Sequence, residues 1–230
     1  MLHAPPLLSR EPLGGSKEVL DLDRLIRLRT HLFHLTARSN LRSIATEGAL
    51  HPAEEILRRG NRLDLLRVRR LRHESVRLGK SAVLVRDQAP LHAGAALFEP
   101  GWGLSEWVEH VNRHVFFWPG SASGPISSGL NQHQHYSSES PALLRIPAGS
   151  IILVGSPAPL FCRFNSGAPR YSGGRPSARG AATYLSAEAF PGPPSRVIEV
   201  VFRGSVFLPA ATEVSASFSG PWQSLARAAA

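Results

Sequence analysis

The chain has 230 residues, 43% of them apolar, which suits one domain with a substantial core. No apolar run reaches the roughly twenty residues of a membrane span, and the N-terminus lacks the basic and apolar regions of a signal peptide. The lone cysteine, Cys162, excludes an intrachain disulfide and fits a reducing, cytoplasmic setting. The formal net charge of +9 is concentrated: between residues 58 and 80, nine basic residues face two acids and leave +7 in one short segment. Such a segment attracts phosphates, or is simply a solvated face in an arginine-rich chain.

In chain order, residues 1–16, with Pro5, Pro6, Pro12 and Gly14, read as a flexible N-terminal segment. Residues 17–30 carry Val19, Leu20, Leu22, Leu25, Ile26 and Leu28 at helical spacing. Residues 32–35 read as a strand. Ser39 supplies an N-cap, Leu41 and Ile44 point inward, and Gly48 stops the helix. Residues 61–72 read as a basic helix carrying Arg69 and Arg70, with Leu63, Leu66 and Leu71 as apolar positions. Residues 82–85 form a strand running into Arg86-Asp87-Gln88. Residues 105–112 form a short helix, and 114–118 an aromatic strand ended by Pro119 and Gly120. The Gly, Ser, Pro, His and Gln of 119–142 predict a loop. Residues 143–146, 151–154 and 160–163 read as short strands. Residues 165–180 make a long loop with Arg170, Arg175 and Arg179. Residues 196–202 and 205–208 are β-rich runs paired across Gly204, and 218–230 a frayed tail. Residues 17–217 thus form one domain. Without a repeat or regular strand–helix alternation, the class is α+β rather than doubly wound.

Glu199 is the sharpest single residue. It sits among Val197, Ile198, Val200, Val201 and Phe202, where an unpaired carboxylate costs several kcal/mol. Either it serves the floor of a cleft, or it reaches solvent at an edge or pairs with Arg196 or Arg203. His34 and Thr36, two apart on a strand, share a side and both hydrogen-bond; His34 is equally a core histidine satisfied by backbone. Arg86, at a strand end, suits a phosphate clamp or a local ion pair with Asp87. His133 and His135 lack a third ligand nearby, so no metal site is expected. Cys162 reads as a small buried hydrophobe, and Gly173, Gly174 and Gly180 form no phosphate-binding fingerprint.

The order of these motifs resembles DarT-type ADP-ribosyltransferases. The resemblance rests on His34-Leu-Thr36 with Asn40, Leu41, Ile44 and Gly48, on His114-Val-Phe-Phe-Trp118, and on Arg196-Val-Ile-Glu199-Val-Val. A related, uncharacterised set of bacterial domains is similar through Arg86-Asp87-Gln88, Asn112-Arg-His-Val-Phe-Phe-Trp118, Asn165-Ser166-Gly167, Arg179-Gly180 and Thr183-Tyr184. The resemblance spans about residues 31 to 216. It implies an ADP-ribosyltransferase-like fold, two small mixed or antiparallel sheets forming an NAD cleft with flanking helices. It implies NAD as ADP-ribose donor, held by His34, Thr36, Asn40 and Phe117, with Glu199 and an arginine, Arg86 or alternatively Arg77, as catalytic residues. No metal is implied. Arg69, Arg70, Arg170, Arg175 and Arg179 are the expected contacts to a DNA or RNA acceptor. A toxin role, with an antitoxin or ADP-ribosyl hydrolase as partner, follows by analogy; a membrane partner does not. Three readings stay open: transfer to a nucleic-acid base or nucleotide, transfer to protein or plain NAD hydrolysis on the same scaffold, and a non-catalytic basic nucleic-acid-binding module.

Overall fold

The computed structural model describes residues 19–91, 96–154, 157–167 and 177–230. The segment expected to be flexible, 1–16, lies outside the described residues, as do Arg170 and Arg175. The architecture is α+β. One eight-stranded antiparallel sheet runs in the order β12 (Gln223–Ser224), β11 (Glu213–Ser215), β7 (Pro141–Pro147), β1 (His31–Ala37), β5 (His114–Ser121), β9 (Glu199–Arg203) and β8 (Pro159–Cys162). The short β6 (Gly124–Pro125) pairs back onto β5. Two small ladders stand apart: β2 (Ala49–Leu50) with β10 (Val206–Phe207), and the hairpin β3 (Glu74–Leu78) with β4 (Ser81–Val85).

The strand β5 changes partner along its length. Its C-terminal half pairs with β1 at Trp118, Pro119 and Gly120. Its N-terminal half, His114 to Phe117, pairs with β9. Beyond the Phe33–Trp118 row, β1 and β5 part, while β1 stays paired with β7 through Ala37. The expected pair of small sheets is therefore one continuous sheet with a notch.

Strand alternation sorts the aromatic residues. Phe117, Val200 and Phe202 enter the main core with Leu32, Leu144, Ile146 and Phe161. Phe116, Val201 and Cys162 face the other way, against Trp107 and Val108 of α4 (Leu104–Asn112). The helix α2 (Leu41–Glu47) buries Leu41 and Ile44 and ends at Gly48, whose φ of 62° is the left-handed conformation of a C-cap. Among the described residues, no helix is long and apolar enough to cross a membrane.

Several expected elements differ. The first helix, α1 (Leu22–Leu28), starts later, because the Asp21 side chain caps it by accepting from the Arg24 N–H. Residues 61–72 contain only a 3₁₀ turn at Leu63–Leu65. Helical spacing misleads there: Leu63, Val68 and Leu71 are exposed, the last at 65%, while Arg70 goes inside. The expected loop 119–142 contains α5 (Ser127–His135), whose Gly129 packs so closely on Pro125 and Trp118 that a Cβ would clash. The expected strand at 151–154 is instead α6 (Gly149–Ile152), and β10 pairs with β2 rather than across Gly204. Residues 218–230 are not frayed. β12 pairs with β11, α7 (Leu225–Ala229) buries Leu225, and the Trp222 ring lies under Arg145, 4.2 Å from its guanidinium.

Candidate functional site

A cavity of about 290 Å³ opens at the notch where β1 and β5 part. His34, Leu35 and Thr36 form one lip, and His114, Phe116 and Trp118 of β5 the other. The β4 end and its continuation, Val83 to Gln88, close one side; Tyr136 and the turn Asn165–Gly167 close others. The motifs Arg86-Asp87-Gln88, Asn112 and Asn165-Ser166-Gly167, scattered along the chain, thus converge on one cavity.

His34 donates from Nδ1 to the Phe116 carbonyl at 2.9 Å, bridging the parted strands. Burial drives its pKa down to about 4, so at neutral pH the ring is uncharged and Nε2 is an acceptor. Thr36 lines the cavity beside it, its hydroxyl accepting from Asn40 Nδ2 at 3.2 Å. Asn40 is mainly a strut: its amide donates to the Leu84 carbonyl at 2.9 Å and accepts the Leu84 N–H at 2.8 Å, as a neighbouring strand would. That clasp ties β4 to the end of β1.

Arg86, next along, donates to the Thr36 carbonyl at 3.0 Å, meets Glu139 at 3.3 Å and lies over the Tyr136 ring, 4.4 Å from its centre. Its buried Nε has no acceptor among the described residues. Tyr136 in turn donates to Asp87 at 3.1 Å, and His73 stands between Asp87 and Glu139. At another part of the wall, Glu47 is drawn down to about 2, chiefly by hydrogen bonds from Arg59.

Glu199 is 3% exposed. It lies on β9 opposite Cys162 and accepts the Ser166 N–H at 3.2 Å. It does not itself line the cavity; the Asn165–Gly167 turn stands between. Burial raises its pKa to about 7, against the Ser166 hydrogen bonds and the attraction of Arg179. Cys162 behaves as a buried hydrophobe, its thiol pushed up by burial and by Glu199.

Other expected site residues lie elsewhere. Phe117 is in the main core, touching the His34 ring from behind; alternation gives the cavity Phe116 instead. Arg69 is spent on the carbonyls of Gln88 and Ala89. Arg70 is 5% exposed, in the cavity wall rather than on the surface. Arg179 is buried over the Phe164 ring and donates to the Ser177 and Asn165 carbonyls; beside it, Gly180 sits against Glu99 where no Cβ fits. Most of the basic segment is likewise occupied: Arg58, Arg59, Arg62 and Arg67 pair with carboxylates. Arg72, Arg77 and Lys80 are exposed and meet no carboxylate among the described residues. Among those residues no His, Cys, Asp and Glu group suits a metal ion.

Sequence reasoning missed Tyr136, Gln88, Asn112 and Ser166 as wall residues. The last three lay inside quoted motifs, and that was their signal; Tyr136 carried none, in a segment read as loop. No curated protein and no solved structure matches the chain. A family model described as a family of unknown function, DUF7002, matches residues 30–211. The matched span holds the notch, both lips and Glu199, and the chain belongs to the DUF7002 family.

Proposed function

We propose that this protein is an NAD-dependent ADP-ribosyltransferase with an ADP-ribosyltransferase-like fold, acting on a nucleic-acid base. The observation that carries the reading is the notch, where His34 and Thr36 face a cavity also lined by Ser166, whose N–H is held by the buried Glu199. The donor's nicotinamide end enters there, with His34 Nε2 accepting from a ribose hydroxyl and Thr36 donating. The C1′–nitrogen bond breaks, its electron pair leaves on nicotinamide, and the ribose becomes oxocarbenium-like. A fixed carboxylate stabilises that charge in a dry site. An acceptor ring nitrogen then bonds to C1′ and sheds its proton, brought in line by binding alone. For Glu199 to reach the ribose, its contact with Ser166 must give way, so the Asn165–Gly167 turn moves on binding.

The acceptor assignment is supported by the net charge of +9 and by Arg72, Arg77 and Lys80, which meet no carboxylate among the described residues. The test is incubation of the protein with NAD and DNA, RNA or cell protein, followed by mass spectrometry for ADP-ribose and assay of released nicotinamide. The expected result is an adduct on a nucleic-acid base, abolished in Glu199→Gln although that variant still binds NAD. Label on protein alone moves the acceptor. Full transfer by the variant, or no nicotinamide released by the wild type, ends the assignment.

A further inference from the structure

A guanidinium without a counter-ion, enclosed in a protein wall, is an expensive arrangement. Arg70 is one. It is 5% exposed and lines the notch cavity. Its Nε donates to the Arg86 carbonyl at 3.0 Å and its Nη1 to the neutral Asn112 Oδ1 at 3.0 Å. Its Nη2 meets no acceptor among the described residues, and no carboxylate contacts it; Glu74 and Asp87 attract it only from a distance. Burial brings its pKa down to about 10, so it keeps its charge at neutral pH.

The side chain is also held on purpose-built neighbours. Asn112 Oδ1 accepts from Gln88 Nε2 at 3.2 Å, and Asn112 Nδ2 donates to the Leu66 carbonyl at 2.9 Å. The Gln88 N–H donates to the Arg70 carbonyl at 2.7 Å, which fixes the backbone. These contacts fix both ends of Arg70 while supplying no negative charge. Lining the same cavity, Arg86 carries a second guanidinium, which meets Glu139 at 3.3 Å through Nη1 and keeps a buried Nε unmet. Guanidinium forks match the tetrahedral oxygens of phosphate esters.

We propose that Arg70 and Arg86 form an anion subsite of this cavity that takes the phosphate groups of a nucleotide. The subsite is read from the wall itself; which nucleotide occupies it rests on the transferase reading, where the donor supplies a diphosphate. A free nucleoside monophosphate would offer the same chemistry, and the ligand series separates the two.

The experiment is calorimetric titration of the whole chain with inorganic pyrophosphate, ADP, AMP and adenosine. Pyrophosphate and ADP are expected to bind, and adenosine to bind at least about tenfold more weakly than ADP, since one charged hydrogen bond is worth that much or more. AMP matching ADP would assign the subsite to a single phosphate. Arg70→Gln is expected to cost ADP and pyrophosphate about tenfold or more while leaving adenosine unchanged. Should that variant not fold, Arg70→Lys keeps the charge without the fork, and is expected to weaken ADP several-fold with adenosine unaffected. Wild-type protein that binds adenosine as tightly as ADP, or either folded variant binding ADP at full affinity, overturns the subsite. Arg70-dependent ADP binding without nicotinamide release from NAD would keep the subsite and remove the transferase reading; release with no dependence on Arg70 would do the reverse.

Discussion

At the scale of single residues, Glu199 decides most. Its carboxyl has an ordinary value of 4.5 and is raised to about 7 in the fold, mainly by burial. A raised acid favours its protonated form in the native state. Its contribution to stability is thus complete below pH 4.5 and is lost as pH rises through about 7. At pH 8 the native state carries a buried charge at a penalty on the order of 3 kcal/mol. Glu199→Gln removes that charge and keeps an acceptor for the Ser166 N–H. The variant is expected to melt several degrees above the wild type at pH 8, at about 2–4 °C per kcal/mol for a chain of this size, and to match it at pH 4.5. Melting curves at the two pH values check this; equal destabilisation at both would make the carboxylate a plain structural tie. On the proposed transferase reading, transfer by contrast needs the ionised form and should rise with pH through about 7. Activity and stability then cross in opposite directions over one interval, as expected where a site is kept at the expense of the fold.

At the scale of elements, the hairpin β3–β4 depends on one amide. Asn40 satisfies both backbone groups of Leu84 and also donates to Thr36. Asn40→Ala leaves those backbone groups without partners, at about 1–3 kcal/mol each. The expected result is a loss of roughly 2–4 kcal/mol and faster amide exchange at Leu84 and along the hairpin, with β1 and β7 protected as before. Unchanged exchange at Leu84 would mean that the clasp carries nothing. How much of this was legible beforehand differs by element. The strands β1, β5 and β9 announce themselves as apolar runs, and Gly48 marks the end of α2 because only a left-handed residue closes a helix there. The segment 61–72 defeats a local reading because Leu63, Leu66 and Leu71 imitate a helical stripe, of which only Leu66 packs on the core, while the most buried residue is a charged one. A buried Arg70 obeys hydrogen bonds to residues 16 and 42 positions away, which no local pattern contains. Helix α5 was missed for the opposite reason: Ser, Gln and His give it little apolar signal, and Gly129 suggests a break where it allows close packing. Of the expected site residues, His34, Thr36 and Arg86 line the cavity, because strand ends carry side chains outward. Phe117 was misplaced by one residue, and on a strand one residue is the other face.

At the scale of the whole molecule, acid stability reports whether the aromatic and histidine packing around the notch is as tight as the fold implies. His34, His110 and His114 are each driven down to about 4 from 6.5, in every case chiefly by burial. A depressed histidine contributes stability that is present above 6.5 and lost as pH falls through about 4, because the unfolded chain takes up the proton first. Glu199 works the other way between 4.5 and 7. It is one group against three, and one of the three, His110, is only partly enclosed and stacks on Tyr184, which tempers its share. The balance is a net loss on acidification of roughly 2 kcal/mol per pH unit near pH 5. Repulsion within a chain already at +9 adds to it. Urea denaturation at pH 5, 6 and 7 measures that slope directly. His114→Gln keeps a donor for the His110 carbonyl, which His114 Nδ1 now reaches at 2.7 Å, but removes one titrating ring. It should flatten the slope by about a third while leaving the ordering of the strands intact. A stability that stays level or climbs from pH 6.5 to 4.5 would mean that these rings meet water in the folded state. The notch would then be too open to hold a desolvated charge, and both the proposed carboxylate chemistry and the proposed guanidinium subsite would lose the low-dielectric setting they require.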